Sequence, residues 1–267
     1  MKATKIYHCC SLLLAGFVGS TQVRMEKDFN ESFNISAGNK VEIANKYGEV
    51  VIRTWQEDRV RIQAKVTANG RNQETVNKTM NRVDIQMRKI GQVVTVSTEI
   101  ARGGGTFNEL LGDVEDYSKA FFGNQKLTVD MEVWLPENID LTIDNKYGDI
   151  YLGSLLGEVD ITLAHGDLTG NRVEGRLEME HSFGKSNFDF VNRGRFTLRG
   201  AEITIDEGTS FSFQSSSSEI NLYNIHYVKI DSRNDKIKAG NVNEIVGMGR
   251  FTDLEAERIT RNVDLKF

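Results

Sequence analysis

The sequence has little cysteine and little proline. Of 267 residues, two are cysteine and one is proline. Both cysteines, Cys9 and Cys10, belong to the first ten residues, so the remaining sequence offers no disulfide, thiol nucleophile or thiolate metal site. One proline against 24 glycines also excludes a Pro-rich linker protein. The glycines instead separate short apolar segments, where turns use the positive φ that glycine tolerates.

An excess of positive charge is lacking too. The chain carries 33 Lys and Arg against 38 Asp and Glu, a net charge of −5 at pH 7. Because contacts to a phosphate backbone need clustered Lys and Arg, we expect no nucleic-acid partner. A hydrophobic content of 39% is sufficient for a folded core, so the chain is not a disordered protein.

The first 22 residues are typical of an export signal. Lys2 and Lys5 give a positive start, residues 6–18 are mostly apolar, and small residues follow. The alternative is a retained anchor, but the apolar run is shorter than the ~20 residues that a spanning helix needs. Both cysteines precede the centre of the run, which argues against a lipid anchor. We therefore predict a signal peptide over residues 1–22 and an exported protein, either periplasmic or at the cell surface.

Two nearly identical segments lie a hundred residues apart. Residues 45–52 read Asn-Lys-Tyr-Gly-Glu-Val-Val-Ile, and residues 145–152 read Asn-Lys-Tyr-Gly-Asp-Ile-Tyr-Leu. In both segments a polar corner is followed by a charged residue and then by apolar residues at alternate positions. Alternation with period two predicts a strand with one buried and one solvent-facing side.

Beyond Pro136 the same pattern recurs every 17 or 18 residues. The repeated corner position holds Gly148, Gly166, Gly184, Ala201, Ser218, Asp235 and Thr252. The next position is charged in every copy, and we call it the charged row: Asp149, Asp167, Lys185, Glu202, Glu219, Lys236 and Asp253. One and three positions further on, the residues are mostly apolar, and we predict that they point inward. These two inward rows are Ile150, Leu168, Ser186, Ile203, Ile220, Ile237, Leu254 and Leu152, Gly170, Phe188, Ile205, Leu222, Ala239, Ala256.

Short copies of constant length indicate an all-β β-solenoid with coils of 17–18 residues, because one copy alone cannot bury its apolar side. Strands and loops of a sandwich vary more in length, and propeller repeats are longer. We divide the mature chain into an N-terminal strand meander, residues 23–135, and regular coils, residues 136–267, continuous with it. In the first part, the polar residues 69–79 are expected to hold a turn and a short helix, and residues 83–87 and 93–100 two strands of a hairpin or meander joined around Gly91.

Residues 101–125 interrupt the strand pattern. Three glycines precede apolar residues at spacings of three and four, which predicts a Gly-rich, helical insertion. Glycines before a helix also suggest a phosphate loop, but the lysine and hydroxyl of that motif are missing.

The corners of the type Asn-Lys-Tyr-Gly-Asp/Glu, the strand closed by Trp134-Leu135-Pro136, the export signal and the Gly-Asp-Ile type strands resemble the bacterial "putative adhesin" repeat family, over residues 30–265. That family has no known function. The resemblance implies an exported β-solenoid displayed at the envelope, and it supplies no catalytic residues.

The charged row offers one candidate site. Stacked coils would place Asp149 beside Asp167, so a divalent cation such as Ca²⁺ could lie between them. Ca²⁺ is coordinated by six to eight oxygen ligands, and Lys185 and Lys236 interrupt the acidic residues of the charged row. The alternative is therefore a solvated face with opposite charges paired across coils. We expect no other cofactor.

The position before each corner glycine offers a second candidate, with Tyr147, His165 and Phe183 in consecutive coils. Stacked aromatic packing explains such a ladder, and an exposed ladder can also stack on sugar rings. We expect a non-catalytic binding or structural protein whose partner is a glycan, an envelope polymer or another protein.

Two alternatives stay open. A polysaccharide lyase or hydrolase would have to use Asp149, Asp167 and Lys185, the only aligned trio, although short coils leave little room for a substrate groove. A scaffold would act through the solenoid ends, where unpaired strand edges favour end-to-end contact. The chain is thus expected to be a monomer or an end-to-end dimer.

Overall fold

The structure is a computed structural model that describes residues 22–101 and 126–266. In this part of the chain sixteen strands join one sheet system, and one α-helix lies beside it. The N-terminal elements are β1 (Val23–Asn34), β2 (Lys40–Lys46), β3 (Val50–Trp55), β4 (Arg59–Gly70), α1 (Gln73–Met80), β5 (Val83–Ile90) and β6 (Val93–Ile100). The remaining strands are β7 (Lys126–Pro136), β8 (Asp140–Lys146), β9 (Ile150–Leu152), β10 (Val159–Ala164), β11 (Leu168–Ser182), β12 (Lys185–Arg199), β13 (Glu202–Ser216), β14 (Glu219–Arg233), β15 (Lys236–Arg250) and β16 (Asp253–Lys266).

The regular part is a parallel β-solenoid, as predicted. Each long strand from β11 to β16 pairs in parallel with its sequence neighbours, and a sharp corner separates it from the next. The predicted register is confirmed in every coil, because the first inward row pairs in the order Ile150, Leu168, Ser186, Ile203, Ile220, Ile237 and Leu254. The repeat length in the sequence is therefore the length of one coil.

The two similar segments are neighbours in space. β2 pairs in parallel with β8, so that Asn45 lies opposite Asn145, and β3 pairs in parallel with β9. On their other sides β2 pairs with β6, and β3 pairs with β7. The coil formed by β2 and β3 therefore lies between the coil of β6 and β7 and the coil of β8 and β9. Part of the N-terminal region is solenoid, and its spatial order differs from its sequence order.

Antiparallel strands cover the N-terminal end of the solenoid. β5 pairs with β6 in the predicted hairpin around Gly91, while β4 pairs with both β1 and β7. The short helix expected near residues 69–79 is α1, which buries Val76 and Met80. No helix in the described ranges is long and apolar enough to cross a membrane. The predicted signal peptide and the insertion at residues 101–125 lie outside the described residues, except for Gln22 and Ala101.

The core fills the interior along the whole solenoid. A second set of inward residues, in the later part of each coil, is fully buried, namely Val159, Ile161, Leu177, Met179, Phe196, Leu198, Phe211, Phe213, Val228 and Ile230. At the last coil Leu254 is half-buried and packs against the core, whereas Ala256 is exposed. β16 pairs with β15 on one side and with no other described strand, so these side chains have no further coil above them. The end-to-end dimer stays a prediction.

Candidate functional site

The corners between coils share one backbone conformation. Seven corner residues other than glycine have φ between 52° and 66°, and Gly200 has φ 58°. We call this set the corner row: Tyr47, Tyr147, His165, Phe183, Gly200, Ser217, Asn234 and Phe251. A left-handed conformation costs an L-residue roughly 1–2 kcal/mol. Here it recurs because the corner N–H groups from Tyr47 to Asn234 donate to the next coil, as Tyr147 does to the carbonyl of Ala164 at 2.9 Å.

The buried asparagines explain the Asn-Lys-Tyr-Gly motif. Asn145 is fully buried, and its Nδ2 donates to the carbonyl of Gly148 at 2.8 Å and to that of Gly48 at 3.2 Å. Asn45 donates to the carbonyls of Gly48 and Val129 at 3.2 and 2.9 Å. The corner turns these carbonyls away from the strand ladder, and burying them unpaired would be costly. The asparagine amides donate the hydrogen bonds that they would otherwise lack. The motif is therefore structural, and it fixes the direction of the corner side chain.

The aromatic ladder predicted at Tyr147, His165 and Phe183 forms, and Tyr47 extends it by one ring. Successive ring centroids are 5.6, 5.0 and 5.0 Å apart from Tyr47 to Phe183, with interplanar angles of 18°, 1° and 10°. Because the rings are nearly parallel, each interior ring has both faces covered by its neighbours. Phe183 is the last ring of the ladder, and it is 56% exposed. Its second face points towards Gly200, where a Cβ would lie 3.1 Å from the ring.

Beyond Phe183 the corner row is small and polar for three coils. Gly200, Ser217 and Asn234 occupy these corners, and the exposed ring of Phe251, 87% accessible, follows them. They line a shallow groove of about 630 Å³, which we call the corner groove. The charged row forms one wall of it. The sequence lists these residues in register, but only the fold shows that they line one groove together with Phe251.

The carboxylates proposed for calcium have another role in the described structure. Asp149 Oδ1 accepts the backbone N–H of Asp167 at 2.9 Å, and Asp167 Oδ1 accepts that of Lys185 at 2.8 Å. Each aspartate thereby links its coil to the next one. Within the described ranges no group of three or more His, Cys, Asp or Glu side chains could hold a metal ion. A calcium site at Asp149 and Asp167 stays a prediction, and it would compete with these backbone bonds.

Opposite charges pair further along the charged row. Lys185 Nζ lies 2.7 Å from a carboxylate oxygen of Glu202, and the hydrogen bond to Glu202 raises the pKa of Lys185. Lys238 Nζ lies 2.8 Å from Glu219, and this hydrogen bond lowers the pKa of the Glu219 carboxyl. The side chains are solvent-accessible, so these pairs contribute little stability. They neutralise Glu202 and Glu219, two of the carboxylates that line the corner groove.

A buried polar pair was missed by sequence reasoning. His181 is fully buried, its Nε2 lies 3.0 Å from the carbonyl of Gly166, and its Nδ1 lies 2.8 Å from the hydroxyl of Ser186. Because a carbonyl only accepts, Nε2 carries the proton and Nδ1 accepts from Ser186, which describes a neutral imidazole. Ser186 in an otherwise apolar inward row was the available signal, since a buried hydroxyl needs a partner.

The pKa of His181 is lowered. Burial is the largest cause of the shift, and the Gly166 carbonyl and Asp167 oppose it. The free energy of unfolding should therefore have its full value above the unfolded-state pKa near 6.5 and decrease as the pH falls below it. The reason is that the unfolded chain then binds a proton that the folded chain does not yet bind. Urea denaturation between pH 7.5 and 5 measures this slope. Changing His181 to Leu, the residue of the adjoining coils at Leu163 and Leu198, should flatten it.

The exposed His226 is the matched control. His226→Gln should keep the wild-type slope. An equal slope in wild type and His181→Leu would show that the buried imidazole does not set this pH dependence.

No protein-family model and no curated protein matches the chain. Among solved structures, the chain is similar to a putative adhesin from Bacteroides fragilis, with 10% identity and a TM-score of 0.41 over 90% of this chain and 97% of that one. It is also similar to a putative lipid binding protein from Parabacteroides distasonis, with 10% identity, a TM-score of 0.44 and the same coverage. A putative adhesin from Parabacteroides merdae matches at 8% identity and a TM-score of 0.35, again over 90% of this chain and 97% of that one. Putative adhesins, the group that the sequence resembles, are thus among the similar structures.

Proposed function

We propose that the protein is an exported, envelope-associated binding protein that binds a glycan at the corner row without cleaving it. One observation carries the proposal: the stacked ladder ends at Phe183, which is 56% exposed and is followed at the next corner by Gly200 and not by another ring. The face of an aromatic ring is apolar and carries partial negative charge, so it attracts the C–H groups of a sugar ring. Tyr147 stacks on His165, and His165 stacks on Phe183, so the two rings fix the orientation of the Phe183 ring.

The same geometry favours binding over catalysis. Asp149 and Asp167 accept backbone N–H groups, and Lys185 is paired with Glu202. A general acid or base needs an oxygen or nitrogen free to exchange a proton with the substrate. Each side chain of the trio that an enzyme would have to use therefore makes a bond to an adjacent coil, which favours a structural role for the trio.

A glycan and envelope-polymer array tests the proposal, with residues 23–267 as the probe and with or without Ca²⁺. We expect saturable binding and unchanged polysaccharide length. Phe183→Ala should weaken binding about tenfold, since one aromatic contact contributes up to about 1.5 kcal/mol. Tyr151→Ala is the control, because Tyr151 is also an exposed aromatic, at 43%, but lies on β9 away from the corner row.

Three results would contradict the proposal: no saturable binding, cleavage of the bound polymer, or equal binding by wild type and Phe183→Ala. Binding that requires Ca²⁺ and is lost in Asp149→Asn would instead place the ligand on the charged row. Asp149→Asn keeps an oxygen that can accept the N–H of Asp167, so its fold should persist.

A further inference from the structure

We infer that β16 is the contact surface for a second copy of this chain, and that two copies form a closed two-fold dimer in which their β16 strands pair antiparallel. The dimer does not depend on the proposed function, because it uses the end of the solenoid and not the corner row. Three features carry it: apolar residues of β16 that no coil covers, a covered opposite end of the solenoid, and charge that is segregated along β16.

The last strand leaves core positions uncovered. Val263 of β16 is 51% exposed, whereas Ile245, its partner in β15, is fully buried. Ala256 is likewise exposed, whereas its partner Ala239 is buried. Among the described strands β16 pairs with β15 alone, so its outer edge also presents backbone N–H and C=O groups to a further strand. A strand added at this edge would bury these side chains and pair these groups.

The opposite end of the solenoid is covered. β4 and β5 lie antiparallel to the strands of the first coil, and α1 beside them buries Val76 and Met80. The outer strands at this end are β1 and β5, and Lys89 of β5 donates to the carbonyl of Asn34 in β1 at 2.6 Å. A head-to-tail contact would join β16 to this covered end, whereas a tail-to-tail contact joins two uncovered ends. Because a tail-to-tail contact uses the same surface on both copies, it closes at two copies and does not continue into a filament.

Acidic and basic residues are segregated along β16. Residues 253–257 contain three acids and no base, whereas residues 258–266 contain Arg258, Arg261 and Lys266 with a single acid. Antiparallel pairing of two copies sets the acidic part of each strand beside the basic part of the other, whereas parallel pairing sets like charge beside like charge. The charge pattern therefore favours a second copy in the antiparallel direction.

Pairing over the whole of β16 fixes the register, because its first residue then lies opposite its last. Asp253 of each copy faces Lys266 of the other, which gives two pairs of opposite charge across the two-fold axis. The inward residues meet each other in the pairs Leu254–Leu265 and Ala256–Val263. A shift by one residue would set inward residues opposite outward ones, so the apolar pattern favours the same register.

The same register limits the strength of the dimer. It sets Glu255 opposite Asp264, and Arg258 opposite Arg261 near the two-fold axis, and like charges in such pairs are unfavourable. Lys266 is a diagonal neighbour of Glu255 and offsets part of this repulsion. We therefore expect a reversible dimer, in exchange with the monomer at micromolar concentration.

Sedimentation equilibrium of residues 23–267 over a range of concentrations tests the inference, and the mass should rise from one chain to two. Val263→Lys should raise the dissociation constant about a hundredfold, because it places an unpaired charge in the apolar contact on both sides of the axis. Since Val263 is half exposed in one copy, circular dichroism should show an unchanged fold. Ile90→Lys is the matched control. Ile90 is an apolar residue, 66% exposed, on the outer strand β5 at the other end, and its substitution should leave the dissociation constant unchanged.

Charge reversal tests the antiparallel register. Asp253→Lys and Lys266→Asp should each weaken the dimer about tenfold, because each variant turns both pairs of opposite charge into pairs of like charge. The variant that carries both substitutions restores opposite charges across the axis and should regain the wild-type dissociation constant. If the double variant is no tighter than the single ones, the register is wrong.

Three results would overturn the dimer itself: a single-chain mass at every concentration, species that grow beyond two chains, or equal dissociation constants for wild type and Val263→Lys. These results are distinguishable from a failure of glycan binding, which is measured with Phe183→Ala and not with substitutions in β16.

Discussion

Phe196→Ala is expected to lower the free energy of unfolding by about 3–5 kcal/mol, the range for deleting a buried phenylalanine ring. The Phe196 ring is fully buried, stacks on Phe213 with centroids 4.8 Å apart, and meets Phe211 edge-to-face at 5.6 Å. A Cβ on Gly194 would lie 2.3 Å from the same ring, so backbone packs directly against it. Neither the strand ladder nor the neighbouring rings can move far enough to fill the cavity left by alanine.

Urea denaturation followed by far-UV circular dichroism and by proteolysis would measure this loss. Two probes are needed because coils that contact only their neighbours can unfold separately. Phe251→Ala makes the same substitution at a ring that is 87% exposed, and it should cost less than about 0.5 kcal/mol. Equal denaturation midpoints for the two variants would contradict the assignment of Phe196 to the core.

The register of the coils was predictable because it depends on local pattern. Apolar side chains at every second position and a corner every 17 or 18 residues specify which residues face inward, and a one-residue slip would expose the whole inward row. The order of the first coils was not predictable. The similarity of residues 45–52 and 145–152 indicates that the two segments stack, but parallel pairing between distant segments leaves no mark on the sequence between them. The coil of β6 and β7 therefore had no local signal for its position.

The candidate site was predictable to the same extent. The corner row could be read from the sequence, and the ladder at Tyr147, His165 and Phe183 follows from stacking equal positions. The exposure of the Phe183 ring could not be read, because it depends on the left-handed corners that project the side chains outward. The roles of Asp149 and Asp167 in bonding backbone N–H groups of the next coil also required the three-dimensional distance between coils.

Gly148→Ala should lower the free energy of unfolding by about 3 kcal/mol or more, although it adds a single methyl group. The new Cβ would lie 1.9 Å from the carbonyl oxygen of Gly48 in the stacked coil. Since the obstacle is backbone, no side-chain rotation relieves the contact, and the two coils must separate. Separation would also weaken the hydrogen bond from the Asn145 side-chain amide to the Gly48 carbonyl.

Gly91→Ala separates this effect from the usual cost of replacing glycine. Gly91 has φ 59°, so alanine is strained there by roughly 1 kcal/mol, but nothing lies within 4 Å of its added Cβ. At Gly148 the backbone conformation itself is compatible with alanine, but no space is left for the methyl group. Thermal or urea denaturation should therefore rank Gly148→Ala well below Gly91→Ala in stability. The reverse order would mean that conformation, and not the close approach of stacked coils, selects glycine at the corner. Gly166 and Gly184 repeat the contact at 2.2 and 2.0 Å from the glycine carbonyl below them, so alanine at either position should reproduce the larger loss.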